Sequence, residues 1–297
     1  MDEATESYIM LLLADGNLPT GSFVASSGLE SYLKHGFFGN TLSNSDTSSS
    51  AARTNQAIIN FVEDNLGSYA HSALPFVSDA HIAIASYREQ LGPGNSRDAH
   101  ELILRRLTSL DDLYHSMTLN TVTRRASKAQ GVALLTLFSK GLTKPQFIPS
   151  DSKSEMTSIQ EDSILHLVAD YKLRVRREDA EGHLPICWGI LTAALGLSLE
   201  RSQYLHLFLQ ARSLLSAAIR LNSLGPYAAQ QILLHVVKDL VEKQMKTCQD
   251  LRSGLQPSDG GEDGEVINNL RCAATTWPLG EILAARHDLQ HSRIFNS

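Results

Sequence analysis

Two histidines near the end of the chain, in His287-Asp-Leu-Gln-His291, are the residues best spaced for metal chemistry. Histidines four residues apart lie on one face of a helix, where both imidazoles can reach one metal ion. Zinc hydrolases with this spacing have a glutamate after the first histidine, where this chain has Asp288. They also need a third ligand downstream, and residues 292–297 contain no His, Asp or Glu. A polar terminal helix or binding segment is therefore the preferred interpretation, and a metal-dependent hydrolase that uses His287 and His291 is the alternative.

A second possible ligand pair is His183-Leu-Pro-Ile-Cys187, which places an imidazole and a thiol four residues apart. Pro185 lies between them, and proline fits the first turn of a helix better than its interior. We therefore expect a helix to open here and give both residues a structural role. The other histidines are dispersed, so the sequence predicts no metal site.

Motifs of the common enzyme classes are also missing. Neither Gly36-Phe-Phe-Gly39 nor Gly141-Leu-Thr-Lys144 has the Gly-Lys-Ser/Thr ending of a phosphate-binding loop, and neither follows a predicted strand. No Gly-x-Ser-x-Gly elbow is present, and none of the three cysteines lies in a nucleophile motif. The sequence therefore predicts no catalytic residue, no directly bound cofactor and no enzyme activity.

The elements that carry these residues have helical periodicity. Apolar residues recur at steps of three and four, which line one helical face. One such series is Ile103, Leu107, Leu110, Tyr114 and Met117, and another is Leu207, Ala211, Leu214, Ala218 and Leu221. Pro226 after Gly225 predicts that one helix ends and the next begins there. Alternating strand patterns are nearly absent. We predict an all-α fold, a single bundle-like domain of about ten helices over residues 1–297.

Three segments lack apolar periodicity and are predicted to be flexible loops. They are the Ser- and Asn-rich residues 39–50, the polar residues 139–163 with two prolines, and the Gly-rich residues 254–264.

Composition narrows the choice of partners and compartment. The chain of 297 residues has a formal net charge of -6, which argues against nucleic-acid binding. The apolar stretch Leu184 to Leu199 carries no charge, but it is too short for a membrane span and fits a buried helix. Three separated cysteines fit a reducing compartment, and no secretory signal is expected. A cytoplasmic protein without membrane contact is predicted.

Five segments resemble, in order, the motifs of UreF-type urease accessory proteins. The first is Leu18-Pro-Thr-Gly-Ser-Phe23 with Ser26-Ser-Gly-Leu-Glu30, and the second is Arg125-Ala-Ser127 with Gln130-Gly131. The third is His183-x-Pro185 with Gly189 and Gly196, and the fourth is Leu215-Ser-Ala-Ala-Ile-Arg-Leu221 with Leu224-Gly225. The fifth is the ending, His287-Asp288 through Arg293-Ile-Phe-Asn-Ser297.

The resemblance implies a homodimeric all-α scaffold that binds a UreD/UreH-type protein and a UreG-type GTPase to load nickel into apo-urease. GTP and Mg would belong to the GTPase, and nickel would be handled by the complex. Residues 286–297, called the tail below, would bind the UreD/UreH-type partner. The expected partner-binding residues are Pro19, Gly21, Phe23, Ser27, Gly28, Glu30, Ser216, Arg220, Arg286, His287, Arg293, Ile294 and Phe295.

The amino-terminal motif also has a local interpretation. Ser22 is expected to cap a helix that runs through Gly28 and Glu30, and Gly28 would let another backbone come close. Architectural packing and partner contact remain alternatives for this motif. A helical adaptor of an unrelated assembly shares every feature except the family motifs.

Overall fold

A computed structural model of the chain describes residues 2–16, 18, 25–36, 50–91, 97–145, 155–255 and 272–297. The helices are α1 (Glu3–Leu13), α2 (Leu29–Lys34), α3 (Ser50–Gln90), α4 (Arg97–Met117), α5 (Thr121–Leu137), α6 (Glu155–Arg176), α7 (Leu184–Leu195), α8 (Leu199–Arg220), α9 (Pro226–Ile232), α10 (Lys238–Cys248) and α11 (Pro278–Ala285). A π-helical turn, Leu233–Val237, joins α9 to α10, another, Phe138–Leu142, extends α5, and a 3-10 turn, Arg286–Leu289, follows α11. If α9 and α10, which the π-helical turn joins, are counted as one continuous helix, the described residues form ten helices and no strand. This confirms the all-α prediction.

Local sequence explains where several helices begin. Asn120 caps α5, because its side-chain oxygen accepts hydrogen bonds from the amides of Val122 (2.9 Å) and Thr123 (3.3 Å). Pro185 and Pro226 lie in the first turns of α7 and α9, where the missing amide hydrogen removes no helical bond. The sequence predicted both of these starts.

The apolar faces of the helices pack into two clusters. The first surrounds α7 and includes Phe76, Leu107 and Tyr171. The second includes Leu29, Phe61, Leu214, Leu283 and Phe295, and so joins α2, α3, α8, α11 and the tail. The 41-residue helix α3 contributes to both clusters and links them.

Helix α7 lies at the centre of the first cluster, with every residue from Pro185 to Ala193 buried. A helix that is apolar all round must be covered on all sides, as the sequence predicted for this stretch. Two glycines allow the neighbours to come close. A Cβ at Gly189 would lie 2.6 Å from the carbonyl oxygen of Val77, and a Cβ at Gly131 on α5 would overlap the carbonyl oxygen of Gly182.

The loop predicted over residues 139–163 needs a correction. Residues 138–142 continue α5 as a π-helical turn, and residues 155–163 belong to α6. Phe138, the first residue of the π-helical turn, is buried. Helix α6 is anchored in the core by the buried Ile164 and Tyr171, and from there it extends towards its amino terminus through polar residues. In this case a helix held by packing at one end includes residues that have no apolar periodicity of their own.

The other two predicted loops lie mainly outside the described residues. Residues 39–49 and 256–264 are not described, while Ser50 already begins α3. Within the described ranges, no helix combines the length and the apolar character that a membrane crossing requires.

Candidate functional site

A buried carboxylate on α2 holds the end of the chain. Glu30 has no exposed surface, and its oxygens accept hydrogen bonds from the backbone amides of Ile294 (2.8 Å) and Phe295 (3.2 Å). The Lys34 ammonium lies 3.1 Å from the same carboxylate and also donates to the carbonyl oxygen of Ser292. Burial raises the pKa of Glu30, but hydrogen bonds from Ile294, Lys34 and Phe295 outweigh burial, so the pKa lies below its ordinary value. The charged form therefore predominates at neutral pH.

An arginine from the second sequence motif holds the tail from the other side. Arg125 on α5 donates one hydrogen bond to each oxygen of Asp288, both at 3.0 Å, and another to the carbonyl oxygen of Asn296 at 2.9 Å. Arg293 also donates to Asp288, at 2.7 Å. These contacts, above all the hydrogen bonds from Arg125, lower the pKa of Asp288 to about 2. A planar guanidinium suits this two-oxygen contact, which an ammonium group cannot reproduce.

The fourth sequence motif reaches the same place through α8. The guanidinium carbon of Arg220 lies 5.7 Å from the centre of the Phe295 ring, and Arg220 donates to the hydroxyl of Ser216 at 3.0 Å. Phe295 itself is only 3% exposed and packs in the second apolar cluster. Arg220 thus covers the ring by a cation-π contact at the end of α8.

The amino-terminal motif turns sharply before α2. Ser27 and Gly28 both have positive φ, 49° and 86°, so no helix runs through Gly28 to Glu30 as predicted, and α2 begins at Leu29. Left-handed geometry excludes Gly28 from a regular α-helix. The expected close approach is present, because a Cβ at Gly28 would lie 3.4 Å from the amide nitrogen of Ala284 on α11.

Pro19, Gly21 and Phe23 lie outside the described residues, as does Ser22. The contacts of these residues stay predictions.

The predicted tail residues divide into an exposed and a buried set. Arg286, Arg293 and Ile294 are exposed, and the Ile294 side chain keeps 63% of its surface in solvent. His287 and Phe295 are buried against the chain itself. In this conformation the exposed residues form a solvent-accessible surface, and the buried residues hold the tail in place.

The pairing of His287 with His291 needs a correction. Helical turns end at Leu289 and Gln290 is extended, so the two histidines do not lie one helical turn apart on a common face. His287 is buried with its Nε2 atom 3.5 Å from Glu30, whereas His291 is exposed. The part of the chain that the structure describes contains no group of three or more His, Cys, Asp or Glu able to hold a metal ion. The geometry required for the alternative hydrolase is therefore not formed.

The second and third motifs meet at the start of α7. The hydroxyl oxygen of Ser127 accepts a hydrogen bond from the Leu184 amide (3.0 Å) and lies 3.1 Å from Nδ1 of His183. The Asp111 carboxylate accepts from the amides of Gly182 (2.5 Å) and His183 (3.0 Å). Burial is the main cause that lowers the pKa of His183 to about 3, so its imidazole is neutral. This arrangement positions a helix start and is structural, as predicted for His183.

Sequence reasoning missed Lys34 and Asp111, and it named Arg125 and Asp288 only as members of motifs. Lys34 follows Glu30 by four residues, a spacing that signals a helical ion pair. Asp111 gives no such signal, because its burial depends on α6 and α7, which are distant in sequence.

Comparison with known proteins identifies the family. A sequence model of the UreF family, described as UreF, matches residues 52–237. Urease accessory protein 6 of Cryptococcus neoformans var. grubii is 39% identical, over 99% of this chain and 98% of its own length. An uncharacterised UreF-like urease accessory protein of Schizosaccharomyces pombe is 30% identical, over 100% and 99%. Urease accessory protein F of Arabidopsis thaliana is 28% identical, over 96% and 90%.

These alignments extend over the amino-terminal motif and the tail, which lie outside the segment matched by the family model. The chain belongs to the UreF family of urease accessory proteins.

Proposed function

We propose that this protein is a non-catalytic scaffold of urease maturation. It binds a UreD/UreH-type protein and a UreG-type GTPase, and the resulting complex inserts nickel into apo-urease. The observation that carries the proposal is that Glu30, Arg125 and Arg220 all contact the tail. Residues on α2, α5 and α8, which are distant in sequence, use their contacts to position the tail, and none of these contacts forms a reactive centre.

The surface offered to the UreD/UreH-type partner combines apolar and basic side chains. Ile282, Leu289 and Ile294 are 56%, 77% and 63% exposed, and Arg286 and Arg293 lie beside them in sequence. Exposed aliphatic side chains with arginines form a common core composition of protein interfaces. The family resemblance implies a partner contact for the tail, and the exposed Ile282 extends this proposed surface onto α11.

The chemistry of nickel delivery is assigned to the partners. GTP and Mg are bound by the UreG-type GTPase, and nickel passes through the complex and not into a ligand cluster of this chain. The resemblance further supports a homodimer within the complex and a cytoplasmic location.

Retention of purified partners tests the scaffold directly. The protein should retain a UreD/UreH-type and a UreG-type protein through size-exclusion chromatography, and the assembled complex should activate apo-urease with nickel. Turnover of a substrate by the isolated chain, or retention of neither partner, would contradict the proposal.

A single surface substitution tests whether the tail binds the UreD/UreH-type partner. Ile294→Asp places a charge on an exposed apolar position, and we expect at least about 10-fold weaker retention of the UreD/UreH-type partner. Leu102→Asp on α4 is the matched control, because Leu102 is similarly exposed at 54% but lies on another element. Equal retention by both variants would show that the partner binds elsewhere. Point substitution is preferable to deleting residues 286–297, since deletion also removes the buried Phe295 and His287.

A further inference from the structure

Glu30 is unusual because it is a carboxylate with no exposed surface in a part of the molecule without a reactive centre. An unpaired buried charge is strongly destabilising, so a residue of this kind must be matched by its partners. Two of those partners are backbone amides, those of Ile294 and Phe295, and the third is the Lys34 ammonium. Apart from the His287 imidazole, whose Nε2 atom lies 3.5 Å from Glu30, the carboxylate contacts the tail through its main chain.

The two adjacent amides also determine which way the tail faces. Ile294 and Phe295 are consecutive, yet the first side chain is 63% exposed and the second 3% exposed. Phe295 enters the apolar cluster beneath Arg220, and Ile294 points to solvent. A shift of one residue in the hydrogen bonds to Glu30 would reverse this arrangement.

Other residues on and just before α2 also contact the tail. The amide of Ser26 donates to the carbonyl oxygen of Ser297 at 2.6 Å, and Lys34 donates to the carbonyl oxygen of Ser292. The Gln290 side chain donates to the hydroxyl of Ser31 at 2.5 Å. Glu30 lies among these contacts and is the member that carries a buried charge.

We propose that Glu30 is a positioning residue, which fixes the register of the tail so that Ile294 is presented to the partner and Phe295 is held inside. It acts on partner binding through the tail and does not touch the partner. This role replaces the direct partner contact expected for Glu30 from the sequence. The positioning role rests on the proposed function in one respect, which is that a partner recognises the tail.

Hydrogen exchange in the isolated protein tests the positioning without a partner. Glu30→Gln keeps the size of the side chain but puts an NH2 group in place of one acceptor oxygen. The amides of Ile294 and Phe295 should exchange about 10- to 100-fold faster, as expected for loss of charge-assisted hydrogen bonds. Amides of α7 should keep their protection, and Glu63→Gln, which neutralises an exposed carboxylate on α3, should leave the tail unchanged. Unchanged exchange at both tail amides in Glu30→Gln would overturn the proposal.

A double-mutant cycle covers the case in which Glu30→Gln destabilises the whole protein. Denaturation is measured for the full chain and for a chain that ends at Arg293, each with and without the Glu30→Gln substitution. The substitution should destabilise the full chain more than the shortened one, because the two amides of Ile294 and Phe295 are then absent while Lys34 and His287 remain in both chains. Equal effects in both chains would show that Glu30 acts independently of the tail and would overturn the proposal.

Partner retention then separates this inference from the proposed function. Glu30→Gln should weaken retention of the UreD/UreH-type protein as Ile294→Asp does. A loosened tail with full retention would overturn the positioning role. If the unmodified protein retains no partner, the proposed function fails, while the exchange and denaturation results still decide whether Glu30 sets the register of the tail.

Discussion

Helix α7 and the tail are held in place by different forces. Nine consecutive residues of α7 are buried, and they include Ile186, Trp188 and Ile190, each of which contributes about 1.5–3 kcal/mol by leaving water. The tail buries few side chains, among them His287 and Phe295, and is otherwise held by polar contacts to Glu30 and Arg125.

The difference matters for function because the two kinds of contact respond differently to their surroundings. Apolar burial at α7 is not screened by salt as ion pairs are, and it does not depend on one partner group. Half-exposed ion pairs such as Arg125 with Asp288 are screened by salt and contribute little each. The Arg125 side of the tail can therefore be rearranged by a binding partner at small cost, whereas the contacts to the buried Glu30 keep Ile294 in its exposed position.

The largest effect should come from a single methyl group in the α7 packing. Gly131→Ala places a Cβ on the carbonyl oxygen of Gly182 and 3.0 Å from the Cys187 sulfur, and main chain cannot move aside as a side chain can. We expect a loss of about 3 kcal/mol or more in the free energy of unfolding, measured by urea denaturation.

A matched glycine on α3 provides the control. A Cβ at Gly67 would lie 3.4 Å from the end of the Gln244 side chain, which can move. Gly67→Ala should be neutral or stabilising by up to about 1 kcal/mol, because alanine favours the helix. Similar losses for both variants would mean that close packing around α7 is not what distinguishes this region.

The next prediction concerns the dependence of the free energy of unfolding on pH, which should arise from buried histidines around α7. His183 and His206 are buried, and desolvation is the first cause that lowers the pKa of each to about 3. In the unfolded chain both titrate near 6.5, so between about pH 6.5 and 3 the unfolded state binds more protons. Stability is therefore full above pH 6.5 and falls as pH decreases, by up to about 1.4 kcal/mol per pH unit for each histidine.

Urea denaturation between pH 7.5 and 4.5 measures this slope. His206→Gln removes one of the two groups and should reduce the slope by up to half. A wild-type stability that is independent of pH in this range would contradict the assignment of neutral, buried histidines to the core. The carboxylates Glu30 and Asp288 have lowered pKa values, so they lose their contribution only as the pH falls below the ordinary pKa values of Glu and Asp.

Much of the fold was predictable because it depends on local patterns. The periodic apolar residues predicted α4 and α8, and Pro185 and Pro226 predicted the starts of α7 and α9. The length of the predicted loop at 139–163 was overestimated, since α6 is stabilised by packing beyond that segment.

The candidate site was predictable as a set of motifs but not as an arrangement. The sequence identified Glu30, Arg220 and the tail separately, and Arg125 only as part of a motif. Their convergence depends on how α2, α5 and α8 pack, which no local spacing reveals. The burial of Phe295 illustrates this, since an aromatic residue three positions from the end gives no local sign of being internal.

The smallest expected effect comes from the ion pair that holds the tail. Arg125→Ala removes the contacts to Asp288 and Asn296, both on the tail, and should cost only about 0.2–1 kcal/mol in the free energy of unfolding because the pair is half-exposed. The same substitution should nevertheless make the tail more sensitive to limited proteolysis, and about 0.5 M salt should do so in the wild-type protein. Arg105→Ala is the matched control, because Arg105 forms its ion pair with Glu101 within α4. If Arg125→Ala lowers stability as much as Gly131→Ala, the tail is part of the core packing, and the contrast between a core held by burial and a tail held by polar contacts does not hold.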